Sequence, residues 1–216
     1  MNPFNRHPDM KPTAASPLNR RQFLQRAAAG LALPLLVPGS VLGRNGVVAP
    51  SNRIVFGGIG MGHRARHILP NFLSFKAIHF AAVSDARRDR LQSAKEMVDA
   101  HYRNSDCAMH EDFRALLARP DIDAVLIATG NRWHAMASMF AAHAGKDIYC
   151  EKPISLTIQE GRNLVETCRR FGTIYQAGTQ RRSTASYRFA RDMVQQGKIG
   201  RVHTVEMQVW TGDVVP

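Results

Sequence analysis

Between residues 53 and 179 the sequence alternates short β-branched apolar runs with segments of helical periodicity. That alternation leaves few folds open. The runs 53–59 (RIVFGGI), 77–85 (AIHFAAVSD), 123–130 (DAVLIATG), 147–150 (DIYC) and 173–179 (TIYQAGT) read as strands. The run at 123–130 is apolar almost throughout, as expected of a strand covered on both faces. Helical segments fall at 64–75, where Pro70 is expected to disturb the helix, and at 87–102, 112–120, 132–145 and 157–172. The last opens with Thr157 and Glu160 at capping-box spacing and closes on Gly172. Strand–helix alternation with short loops means an α/β fold built on a doubly wound parallel sheet. Ligands of such sheets sit at the carboxyl ends of the strands.

The glycine-rich stretch GGIGMGHRARHIL lies at the first of those ends. Read from Gly58, the third small position falls on His63, which is too large to let a helix pack against a strand. Read from Gly60, the pattern is Gly60-x-Gly62-x-x-Ala65, which fits. Gly60 allows the tight turn, Gly62 lets a pyrophosphate approach the backbone, and Ala65 allows close packing. His63 and Arg64 open a helix whose N-terminus attracts phosphate. Asp85 follows at the end of the next strand, 25 residues beyond Gly60, near the spacing of a ribose-binding acid. An acid there repels a 2′-phosphate and favours NAD, while Arg87 and Arg88 leave NADP open. The structural alternative is a plain turn with a solvated Asp85.

The formal charge is +12, of which residues 1–53 carry +6. The remaining basic residues are scattered, with a cluster at Arg87, Arg88 and Arg90 and pairs at Arg169–Arg170 and Arg181–Arg182. No basic stripe interleaved with aromatics occurs, so a nucleic-acid partner is not expected. Cys107, Cys150 and Cys168 form neither a CxxC nor a metal spacing and read as free buried thiols; no metal site is expected.

Residues 1–43 read as a targeting segment. Arg20–Arg21 precede an apolar stretch from about Ala27 to Leu42, broken by Pro34 and Pro38. It is short for a membrane span, which needs roughly 20 apolar residues, and suits a signal h-region. The pattern resembles a twin-arginine export signal, with cleavage plausible after Gly43. The expected location is the periplasm, or the cytoplasm if the signal is unused. Residues 44–52 read as a linker.

From Arg53 to about Val209 the chain resembles the N-terminal half of the Gfo/Idh/MocA oxidoreductases. The resemblance rests on GIGMGHRAR, DFRALLARPDIDAVLIATGNRWHA, AGKDIYCEKPISLTIQEG and QAGTQRR, and the exported bacterial branch, with its dehydrogenases and NAD-dependent glycosidases, is the most similar. It implies a Rossmann domain over 53–178 and the beginning of a second, α+β domain over 179–216. It implies that Glu151 and Lys152 belong to an EKP turn in which the lysine approaches nicotinamide and substrate. Thr129, Asn131 and His134 would line the nicotinamide ribose, with Gly130 where the family usually has proline. Gln180 and Arg181 would lie beside the active site. Trp133 is expected in the core. The cofactor would be NAD, with NADP possible, the substrate a sugar or cyclitol, and full-length relatives homo-oligomers. Lys152 would assist proton transfer, burial beside the cationic ring favouring its neutral form. Two other readings stay open: an NAD-dependent glycosidase and a non-catalytic nucleotide-binding fragment. A helix over 185–197 and a half-buried strand over 201–210 are expected before the end. That strand has no partner strand in sight, so a truncated product is also expected.

Overall fold

The computed structural model describes residues 48–208. The signal segment at 1–43 and the first part of the linker lie outside the described residues. Six strands form one all-parallel sheet: β1 (Ile54–Ile59), β2 (Ile78–Ser84), β3 (Ala108–His110), β4 (Ala124–Ile127), β5 (Asp147–Cys150) and β6 (Tyr175–Ala177). Their order is β3-β2-β1-β4-β5-β6. The chain thus winds outward from β1 in one direction and, after β3, crosses back to β4 on the other side. The crevice lies where that direction reverses, at the carboxyl ends of β1 and β4.

The helices are α1 (His63–Leu73), α2 (Arg88–Tyr102), α3 (Phe113–Leu117), α4 (His134–His143), α5 (Ile158–Phe171) and α6 (Ala185–Gln195). The sheet divides the core into two layers. Side chains of a strand alternate between faces, and β4 shows the result. Ala124, Leu126 and Ala128 pack with Phe56, Leu69, Phe80 and Leu91 on one side. Val125 and Ile127 pack with Leu116, Ala141, Ile148 and Leu164 on the other. An aromatic cluster fills the first layer, with the Phe72 ring 5.6 Å from Phe56 and 5.0 Å from Tyr149.

The expected capping box forms: the Thr157 side chain accepts from Glu160 N at 3.1 Å, and the Glu160 carboxylate accepts from Thr157 N at 3.4 Å. Gly172 then ends α5 with φ of +66°.

Three expectations need correction, and one strand was unforeseen. Pro70 sits inside α1, which runs on to Leu73; the ring removes one backbone donor without ending the helix. The helix expected over 112–120 is only the five residues of α3. β3 had no counterpart in the sequence reading, because three residues are too few to show a period. The strand expected at 201–210 is absent over 201–208. A strand exists through its partner's hydrogen bonds, and among the described residues none is offered; Val205 and Met207 are 83% and 82% exposed. Residues 209 and 210 lie outside the described residues. Among those described, no helix is long and apolar enough to cross a membrane.

Candidate cofactor site

The turn after β1 is built on Gly60, whose φ is +79°. A Cβ there would also lie 2.6 Å from the Thr129 backbone. The close approach joins the β1 turn to the β4 turn at the switch point. Gly62 then caps α1 with extended backbone and no side-chain bond to the first turn. The leading N–H groups of α1 are therefore open to a ligand. A Cβ at Gly62 would meet nothing closer than Arg90 at 3.5 Å, so the backbone faces open space. Ala65 is fully buried behind this turn, packed in the first core layer as expected.

Asp85 directly follows β2 and faces the turn. Its Oδ2 accepts from Met61 N at 2.7 Å and its Oδ1 from Arg87 N at 2.8 Å. Each oxygen keeps a further lone pair for a hydroxyl donor. The Arg87 guanidinium is tied to Asp89 at 2.7 Å.

These residues border a cleft of about 700 Å³, within the range of small-molecule sites. Gly60, Gly62, His63, Arg64, Asp85 and Thr129 line it. So do residues the sequence reading missed: Arg90, the segment 111–114, and Trp133. The segment 111–114 follows the unforeseen β3 and is held beside Asp85 by the Asp85 N to His110 carbonyl bond, 3.3 Å. Within it, the Arg114 guanidinium holds the Asp112 carboxyl below its usual range. Trp133, expected in the core, is 43% exposed on the cleft wall. Its place in a 3₁₀ turn before α4, not in the helix itself, turns it outward.

A second set of expected residues forms a network behind the cleft. Glu151 is 2% exposed, and its Oε1 accepts from Arg64 Nε at 2.9 Å and Nη2 at 2.7 Å. Gly178 abuts this carboxylate; a Cβ there would lie 3.2 Å from the Glu151 carboxyl carbon. Gln180, with its amide turned to suit its neighbours, accepts from Arg64 and donates to the Gly178 carbonyl. Glu151 and Gln180 therefore hold Arg64 at the cleft edge; they do not themselves line it.

His134 is corrected in the same sense. It is 1% exposed, with Nδ1 2.6 Å from the Pro153 carbonyl and Nε2 3.1 Å from that of Thr129. Each ring nitrogen faces a backbone carbonyl, and the one carrying the proton donates to it, so the buried ring sits between the β4 and β5 turns and offers nothing to the cleft. Asn131 is exposed and lies off the cleft wall. Lys152 is exposed at the end of β5, next to a cis Lys152–Pro153 bond; the burial expected for it is not found in this chain. The neighbouring Cys150 is buried, and burial pushes its thiol up, which keeps it protonated. Burial, then the Glu151 charge, pushes the Tyr149 phenol up as well.

An open helix N-terminus after a glycine turn, facing an acid on the next strand across a switch-point cleft, defines a dinucleotide-binding α/β domain. The donors suit a pyrophosphate and the acid suits ribose hydroxyls, so the residues present fit such a cofactor. Residues 53–179 match the Gfo/Idh/MocA family, an oxidoreductase family with an NAD-binding Rossmann fold, and the chain belongs to it. The uncharacterized oxidoreductase YrbE of Bacillus subtilis is 31% identical over 157 residues, covering 73% of this chain and 44% of that protein. The glycosyl hydrolase family 109 protein 1 of Shewanella sp. strain ANA-3 is 28% identical, covering 71% of this chain and 37% of that protein. Among solved structures, the scyllo-inositol dehydrogenase of Lactobacillus casei with bound NAD(H) and scyllo-inositol is similar at a TM-score of 0.61. It is 29% identical, with 68% of this chain and 42% of that one covered. The chain thus spans less than half the length of these relatives.

Proposed function

We propose that this chain supplies the cofactor-holding part of an oxidoreductase that moves a hydride between NAD and a hydroxyl-bearing carbon of a sugar or cyclitol. The observation that carries the reading is convergence. The open N-terminus of α1, the Asp85 carboxylate and the Glu151–Lys152 turn all meet one edge of the sheet. Bound NAD supplies the acceptor for the hydride. The N–H groups of α1 hold its pyrophosphate, and the Asp85 oxygens hold its ribose hydroxyls. The same carboxylate disfavours a 2′-phosphate, which favours NAD over NADP. Glu151 and Gln180 orient Arg64. Lys152 Nζ takes the proton of the substrate hydroxyl. The bound scyllo-inositol of the similar dehydrogenase supports a polyhydroxy substrate.

The test is Lys152→Ala, assayed by NADH formation with scyllo-inositol and by NAD titration. We expect turnover to fall at least a hundredfold, as for loss of a general base, with NAD affinity within twofold of the parent. A fully active variant sinks the role of Lys152. The glycosyl hydrolase relative favours a second reading, transient oxidation that permits glycoside cleavage. That reading requires product release without net NADH. NAD binding with neither outcome leaves the chain a nucleotide-binding unit.

A further inference from the structure

A second cavity, of about 260 Å³, shares no lining residue with the cofactor cleft and is lined by Arg181, Arg182, Tyr187, Arg188 and Arg191. The sequence shows only the pair Arg181–Arg182. Folding adds the rest, because residues 187, 188 and 191 fall on one face of α6 while 181 and 182 occupy the 3₁₀ turn before it. Four arginine side chains line one small space, and among the described residues no acid lines it. Asp192 engages Arg191 at 2.6 Å, but among the described residues Arg181, Arg182 and Arg188 make no ion pair. Like charges so gathered repel. A bound anion would offset that repulsion.

Two further features point the same way. The Arg181 guanidinium lies 4.9 Å over the Tyr187 ring, which fixes its plane. The helix α6 begins two residues before Tyr187 with no side-chain cap, and Thr184, its N-cap residue, turns its hydroxyl back to the Gln180 carbonyl at 3.2 Å. The first N–H groups of α6 are thereby left to a ligand. The volume is below that of a full small-molecule site, roughly 300–1,000 Å³, and suits one anionic group. A single compact cavity also differs from the extended basic groove that tracks a nucleic-acid backbone. Gln180, which immediately precedes Arg181, is bound to Arg64 and Gly178 beside Glu151. Arg181 thus follows directly on the residue that braces Arg64 against Glu151.

We propose that Arg181, Arg182, Arg188 and Arg191 form a substrate subsite for an oxyanion, so that the polyhydroxy substrate bears a phosphate or carboxylate group. The inference rests on the oxidoreductase reading for the neighbouring site and refines its substrate class. Guanidinium groups bind either anion through paired, charge-assisted hydrogen bonds.

The test titrates the 216-residue chain, saturated with NAD, with glucose 6-phosphate, glucuronate and glucose by calorimetry. At least one charged sugar is expected to bind ten or more times tighter than glucose. Preference for glucose 6-phosphate assigns the phosphate, and preference for glucuronate the carboxylate. Arg182→Ala with Arg188→Ala should cut that advantage at least tenfold, while Arg182→Lys with Arg188→Lys should keep part of it. Both pairs are exposed, so folding is spared. The proposal fails if both charged sugars bind no better than glucose, or if the alanine pair retains the full advantage. A separate NAD titration distinguishes the two readings. Intact NAD affinity with no anion preference removes only the subsite. Anion preference without NAD binding removes the cofactor reading instead.

Discussion

Gly60 joins two demands at one residue. Its φ of +79° favours glycine, and its α-carbon rests against the Thr129 backbone, where a methyl group would lie 2.6 Å away. The left-handed region alone costs a non-glycine residue about 1–2 kcal/mol, and backbone atoms cannot yield as a side chain can. Gly60→Ala should therefore lose about 2 kcal/mol or more in urea unfolding and bind NAD at least tenfold more weakly by fluorescence titration. A variant with the parent's stability and affinity would mean the turn relaxes freely. The need for a small residue here was legible in the sequence as GxGxxA. Its neighbour was not, since Thr129 lies in a different strand–turn unit. His134 shows the same limit. Its sequence position follows the β4 turn, but only the folded chain brings the Pro153 carbonyl within 2.6 Å of its ring and sets a carbonyl against each nitrogen.

At the level of elements, α5 fixes where the EKP turn ends. Thr157 and Glu160 satisfy each other's backbone donors, and the strand β5 stops a few residues earlier at Cys150. The Glu151–Lys152 turn is thus held between a paired strand and a capped helix. Thr157→Ala removes one half of the box and should cost about 1 kcal/mol, read as a lower urea midpoint. NAD affinity should stay within twofold, because the cap lies outside the cofactor cleft; a tenfold loss would show that the cap governs the site. Elements with strong local signals were readable in advance: β1, β4, α2 and α5 each carry periodicity, a cap or an unbroken apolar run. β3 and the segment 201–208 were not. A three-residue strand is defined by β2 beside it, and an alternating run becomes a strand only when a partner supplies hydrogen bonds.

For the molecule as a whole, three buried thiols couple stability to alkaline pH. Burial pushes the Cys107 thiol from 9.0 up to about 12, and burial raises Cys150 and Cys168 too. The unfolded chain ionises these groups near 9, while the folded chain keeps its protons. Between those values the unfolded state binds fewer protons, so their contribution to stability is complete below about pH 9 and is lost as pH rises toward 12. The urea midpoint should fall over that window, and Cys107→Ala should make the fall shallower. An equal slope in both proteins would mean that Cys107 is ionised in the fold. By itself the sequence determined the α/β class, the glycine turn with its acid, and the carboxyl-edge position of Lys152. These follow from local periodicity, turn chemistry and strand–helix alternation. Only the tertiary structure decided that Glu151 and Gln180 brace Arg64 and that His134 is a fastener. It also brought the segment 111–114 and Trp133 to the cleft wall and gathered four arginines around one cavity. Those outcomes depend on contacts between distant residues and between turns of a helix, which sheet order and packing create.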